Sequence, residues 1–97
     1  MSNLIINDNE FLRQFEVEVD KDLAKIEYAL QDRKIFLTKL IIPKSNIDPS
    51  FEETFIKEVF EIIKTKNIRI MPTSPQIRKF IKKHKEFKNL LPIGVRL

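Results

Sequence analysis

Apolar positions recur along this chain with two different periods, and each change of period marks a new element. Phe11, Phe15, Val17 and Val19 alternate with Leu12, Gln14, Glu16 and Glu18. Apart from Leu12 and Arg13, that is the two-residue period of a half-buried strand. Asp20-Lys21-Asp22 reads as a turn. Leu23 to Leu30 then places Ala24, Ile26, Tyr28 and Leu30 on one face, with Lys25 and Glu27 on the other. A shorter apolar run, Leu4 to Ile6, predicts a first strand. Lys34 to Ile42 (KIFLTKLII) is β-branched and aromatic, and apolar on both faces apart from Thr38 and Lys39. This predicts a central strand covered on both sides and stopped by Pro43.

Beyond Pro43 the period lengthens. Phe51, Phe55, Ile56, Val59, Phe60, Ile62 and Ile63 form one helical stripe between Phe51 and Lys66. Ser50 and Glu53 have the spacing of a capping box at its start, and Asn67 ends it. Ile68 to Met71 predicts a short strand closed by Pro72. A strand–helix–strand unit of this kind joins parallel strands. Ser74 before Pro75 predicts an N-cap and first helical residue. Ile77, Phe80, Ile81 and His84 follow at i, i+3, i+4 and i+7. Glu86 to Leu91 predicts a turn that packs Phe87 and Leu90 against the core, and Pro92 to Leu97 a tail.

The order strand, strand, strand, strand, helix, strand, helix predicts an α/β (α+β) fold. It has a mixed, mostly antiparallel sheet, two helices and one parallel strand–helix–strand unit. Ligands of open sheets collect at the carboxyl ends of the strands, here residues 44–50 and those after Met71. With 97 residues, one domain spanning 1–97 is expected.

Composition adds three restrictions. There is no cysteine, so no disulfide supports the core, and a reducing compartment is compatible. The apolar run Leu4–Ile6 is too short for a signal peptide or membrane span, and the expectation is a soluble, cytoplasmic protein without membrane contact. There is a single glycine, Gly94, so none serves a phosphate loop or a type I′ hairpin turn. Turns must use residues such as Asn7-Asp8-Asn9 and Gln31-Asp32-Arg33.

Charge is uneven. Residues 1–50 carry seven basic and nine acidic side chains, and residues 51–97 carry eleven and five. Arg78, Lys79, Lys82, Lys83, Lys85 and Lys88 line the polar side of the last helix. They could hold an anion or simply face water. Phe80 and Phe87 lie on the opposite, apolar side, so the aromatic interleaving of nucleic-acid readers is missing. His84 stands alone as the only histidine, and no cluster suggests a metal. Tyr28, Glu16 and Glu27 are candidates for acid–base chemistry. A core tyrosine and two solvated glutamates explain them equally.

The segment Met71–Leu91, MPTSPQIRKFIKKHKEFKNLL, resembles the carboxyl-terminal signature of the short, stand-alone N-acetyltransferase-like family of the GNAT superfamily. Pro72, Ile77, Phe80, Ile81, His84, Glu86, Phe87 and Leu90 fit its positions. Ala24-Lys25-Ile26-Glu27-Tyr28 is similar to that family's Ala-x-Ile-x-Tyr strand, and Ile42-Pro43 to its Val-Pro. The resemblance implies acetyl-CoA wedged between the strands Lys34–Ile42 and Ile68–Met71. Ile41, Ile42, Ser50 and Phe51 would contact the cofactor, and Arg78 and Lys82 its phosphates. The acceptor would be an amine, of a small molecule or a protein, attacking the thioester directly.

Departures fall on functional positions. The family's glycine-rich pyrophosphate loop aligns with Asp48-Pro49-Ser50-Phe51-Glu52. Its cysteine is replaced by Ser74, the remaining candidate nucleophile, which a helix cap explains as well. Its His-Thr pair is replaced by Lys39-Leu40. Three functions fit: an acetyl-CoA-binding transferase-like domain with a degenerate pyrophosphate loop, a catalytically inactive interaction module, or a nucleic-acid binder using the basic helix.

Overall fold

The computed structural model describes residues 4–19, 21–44 and 48–95. Five strands form one sheet in the order β1 (Asn7–Asn9), β2 (Gln14–Val19), β3 (Asp22–Gln31), β4 (Lys34–Ile41) and β5 (Arg69–Pro72). The first four run antiparallel to their neighbours, and β5 lies parallel to β4. Helix α1 (Phe51–Thr65) makes the crossover, and α2 (Pro75–Lys83) follows β5. A 3₁₀ helix, Lys85–Leu90, replaces the turn expected there and still buries Phe87. The mixed, mostly antiparallel α+β architecture and the parallel unit are those expected from the pattern.

The central strand is not covered on both sides. Strand register puts Phe15, Val17, Ala24, Ile26, Tyr28, Ile35, Leu37, Leu40 and Ile70 on one face, and all are buried in a single cluster with the helices. Opposite them lie Glu16, Lys25, Glu27, Ala29, Phe36, Lys39 and Met71, none of them buried. Phe36 and Met71 made β4 and β5 look apolar all round, yet they cover each other across the strand pair on the open face. Elsewhere that face is solvated by charge, and Glu16 opposes Lys25 while Glu27 opposes Lys39. Opposite charges at facing positions stabilise such a surface modestly.

The beginning of the chain also departs from expectation. Leu4–Ile6 is not a strand. Leu4 and Ile6 pack on the core edge, and pairing begins at polar Asn7. The pairing is held from the side: Asn7 Nδ2 and Asn9 Nδ2 donate to the Glu16 carboxylate at 3.2 and 3.0 Å. Phe11 and Leu12 fall in the following turn, 92% and 55% exposed. Arg13, at φ 58°, ends that turn, so β2 starts only at Gln14. Leu30, expected inside, is 51% exposed near the tip of β3.

Turns are made without glycine. Gln31 pairs with Lys34, and between them Asp32 and Arg33 have φ 51° and 61°. Two positive values are the type I′ signature, which normally recruits Asn-Gly. Of the predicted turn Asp20-Lys21-Asp22, Asp20 lies outside the described residues. Lys21 has φ 81° and Asp22 already belongs to β3. Asn67 ends α1 as predicted, with φ 59°.

Inside the core, α1 is the hub. Phe55, Phe60 and Ile63 are fully buried. The Phe60 ring meets Phe80 and Phe87 edge-on, with centroids 5.5 and 5.2 Å apart. Offset and edge-on pairs of this kind add about 0.5–1.5 kcal/mol beyond the area they bury. This triad fixes α2 and the 3₁₀ helix on α1, and so sets the spacing between the two helix starts.

Candidate functional site

Strand pairing between β4 and β5 ends at Leu37 and Pro72, but β4 continues to Ile41. The cause is local. Thr73 N, Ser74 N and Thr73 Oγ1 all donate to the Leu37 carbonyl, at 3.2, 3.0 and 3.0 Å. Three donors on one oxygen pin the chain there, and Pro75 then starts α2. On the other side of β4 the register slips against β3 between Glu27 and Tyr28, and Thr38 Oγ1 donates to the Glu27 carbonyl at 3.2 Å. The bulge bends β4 away where β5 departs. The result is a wedge whose β4 side, Thr38 to Ile41, has no strand partner towards β5 among the described residues. An extended, amide-bearing chain fits such an edge.

The predicted site residues surround this wedge unevenly. Ile41 and Ile42 are half-buried at the end of β4. Ser74 begins α2 with an extended backbone, but its hydroxyl caps nothing. It donates to Gln76 Oε1 at 2.9 Å, and the residue is only 1% exposed. Tyr28, a candidate acid that a core tyrosine also explains, is buried in the core, and its hydroxyl donates to Asp8 Oδ1 at 2.6 Å. Burial first, then that hydrogen bond, pushes its ionisation above the usual tyrosine range. Arg78 and Lys82 lie together on exposed α2 and line a hollow of about 330 Å³ with Pro75 and Lys79.

Ser50 and Phe51 stand at the start of α1, but the capping box does not form. Ser50 makes no side-chain cap bond. Asp48 takes over: its Oδ1 accepts from Ser50 N and Ser50 Oγ at 3.0 and 2.8 Å, and its carbonyl accepts from Phe51 N at 3.2 Å. The Ser50 hydroxyl and amide hold the Asp48 carboxyl below its ordinary range. The Ser50 hydroxyl donates to that carboxylate and accepts from no helix amide. The Phe51 side chain is buried against Phe55, with ring centroids 5.8 Å apart.

Glu53, released from the capping role, reaches α2. Its Oε2 accepts from Lys83 Nζ at 2.7 Å, and its Oε1 lies 3.5 Å from His84 Nε2. The Lys83 hydrogen bond lowers the Glu53 pKa. A groove of about 240 Å³ runs between the start of α1 and the length of α2, lined by Glu52, Glu53, Ile56, Gln76, Lys79, Phe80 and Lys83. Sequence reasoning missed this groove, because Glu53 was assigned to a cap and Lys83 to a solvated face. A signal did exist: His84 ends the α2 stripe, and its ring packs on Phe80 at 4.4 Å. That turns the neighbouring Lys83 towards α1. Among the described residues no group of His, Cys, Asp or Glu could hold a metal. No described helix is long and apolar enough to cross a membrane.

A mixed sheet that splays where a parallel strand–helix–strand unit joins it is an acetyltransferase-like arrangement. A model of the GCN5-related N-acetyl-transferase family matches residues 14–90, so the chain belongs to that family. A solved structure agrees: the solution structure of a GCN5-like N-acetyltransferase-family protein from Staphylococcus aureus superimposes with TM-score 0.71. The two share 21% identity, over 99% of this chain and 94% of that one. No curated protein matches the chain.

The parts of the site differ in how well they fit the family's cofactor, acetyl-CoA. The open edge of β4 suits an extended arm. At the helix start Asp48 accepts from the Ser50 and Phe51 amides, and Glu52 and Glu53 add carboxylates in the first turn of α1.

Proposed function

We propose that this protein is an acetyltransferase-like domain that keeps the acyl-carrier wedge but has a degenerate pyrophosphate loop. On this reading acetyl-CoA binds weakly, through its arm and the cations Arg78 and Lys82, and transfer to an amine is slow or lost. The observation that carries the reading is the Asp48 bridge, whose side chain and carbonyl satisfy the Ser50 and Phe51 amides. A diphosphate at that place would have to displace a carboxylate from hydrogen bonds it already holds. Ser74, buried and tied to Gln76, lacks a neighbouring base, so it supports no covalent intermediate.

Thermal unfolding with and without acetyl-CoA tests the proposal, since a ligand of the folded state alone must raise Tm. At about 1 mM ligand, a Kd of about 1 mM or weaker shifts the midpoint of a domain this size by less than roughly 3 °C. The double variant Asp48→Gly with Glu52→Gly restores permissive backbone at the loop and is expected to bind at least roughly tenfold more tightly. A wild-type shift above roughly 10 °C at that concentration corresponds to micromolar binding and overturns the proposal. If neither protein responds, the reading as an inactive interaction module replaces it.

A further inference from the structure

A further cavity lies away from the wedge. It occupies about 500 Å³ beside the β3–β4 turn and the carboxyl end of α1. Helix α1 has fifteen residues, so this cavity and the pyrophosphate loop are separated by roughly 22 Å of helix. Its volume falls within the range of about 300–1,000 Å³ typical of small-molecule sites. The Phe15 and Tyr28 rings, 4.9 Å apart, form an apolar floor with Leu30, Ile35 and Ile68. The exposure of Leu30, unexplained by the core, places it on the wall of this cavity.

One polar group in the cavity is fixed. Tyr28 holds Asp8 Oδ1 at 2.6 Å, so the carboxylate cannot turn away. Among the described residues its other oxygen meets a long contact: Lys66 Nζ lies 3.8 Å from Oδ2, and the Lys66 side chain is 43% exposed against 23% for Asp8. The anion is therefore positioned and partly desolvated, while its counter-ion is loose and replaceable. Glu10 lines the same rim, and the negative end of the α1 dipole lies close by.

We propose that this cavity binds a small amphipathic amine carrying one positive charge. Its ammonium displaces Lys66 from Asp8 Oδ2, and its apolar body lies against Leu30 and Ile68, the lining residues with exposed apolar surface. The lining carries Arg33, Lys34 and Lys66 against Asp8, Glu10 and Asp32, so it has no excess of carboxylate for a ligand with a second positive charge. The site is independent of the acyl-carrier reading.

Titration of the full chain with phenethylamine, followed by amide chemical shifts in nuclear magnetic resonance, tests it. Saturable shifts are expected at residues 8–10, 28–35 and 66–68, with millimolar or tighter affinity. Phenethyl alcohol, which lacks the charge, is expected to bind at least roughly fivefold more weakly. Asp8→Asn keeps an acceptor for Tyr28 and is expected to abolish that discrimination. Lys66→Ala, a change at an exposed side chain, is expected to tighten amine binding roughly two- to fivefold, the range an exposed ion pair supplies. No saturable shift at about 10 mM amine, tighter binding of phenylacetate than of phenethylamine, or shifts confined to residues 37–42 and 48–53 would each overturn the proposal.

Discussion

Removing the Phe60 ring should cost this protein a large part of its stability. The ring is fully buried on α1 and touches Phe80 of α2 and Phe87 of the 3₁₀ helix edge-on. A buried Phe→Ala change costs about 3–5 kcal/mol in lost transfer energy and cavity. Each lost ring pair adds to that figure only as far as the cavity fails to collapse. A chain of 97 residues has a total stability of only about 5–15 kcal/mol. At roughly 4–8 °C per kcal/mol, Phe60→Ala is expected to lower Tm by roughly 12–40 °C. Circular dichroism with heat and with urea reads this directly. Phe87→Ala and the double variant complete a cycle, with an expected coupling of about 0.5–1.5 kcal/mol between the two rings. A fall of less than roughly 5 °C, or strict additivity of the two changes, would refute the view that one aromatic triad on one side of the sheet holds both helices.

Tyr28→Phe removes the hydroxyl that fixes Asp8 and is expected to cost about 1–2 kcal/mol in urea unfolding. The folded protein raises the Tyr28 pKa above the ordinary tyrosine value of 10.0. Above about pH 10 the unfolded chain therefore loses that proton first, and stability falls as pH climbs towards the raised value. Tyr28→Phe is expected to flatten that alkaline limb. Glu16 behaves in the opposite sense. Hydrogen bonds from Gln14, and then from Asn9 and Asn7, lower its pKa below 4.5, against a smaller push from burial. Its contribution is present above that value and is lost as pH falls through the lowered one, so Glu16→Gln is expected to blunt acid destabilisation. Arg33→Gly relieves a left-handed backbone at φ 61° and is expected to raise stability by about 0.5–1 kcal/mol after the entropy cost of glycine. A lowered Tm would show that the Arg33 side chain contributes more than the turn strain removes.

Element type was legible wherever an apolar period was long. The α1 stripe, the alternation of Phe15 and Val17 and the break at Asn67 all lie where periodicity put them. The first strand was not legible, since Asn7–Asn9 owes its pairing to amide side chains on Glu16 rather than to apolar burial. Phe11 misled because its alternation with Phe15 passes through Arg13, whose positive φ resets the register. Double coverage of β4 was misread because Phe36 resembles a core residue while lying on the solvent side. At the site, the loss of permissive glycine was visible in the sequence, and so was the carboxylate excess. The bond from Ser50 to Asp48 was not, because a serine hydroxyl at a helix start can accept from the helix amides or donate to a nearby carboxylate, and only geometry separates the two.

The sheet's uncovered face gives the molecule a division of labour. The buried apolar cluster lies behind the sheet, while Lys25, Glu27 and Lys39 in front face one another's charges and solvent rather than a packed layer. Substitutions in front can therefore accumulate with little penalty to folding. Recognition can be rewritten there one charge at a time, while the layer behind it stays under strict volume control.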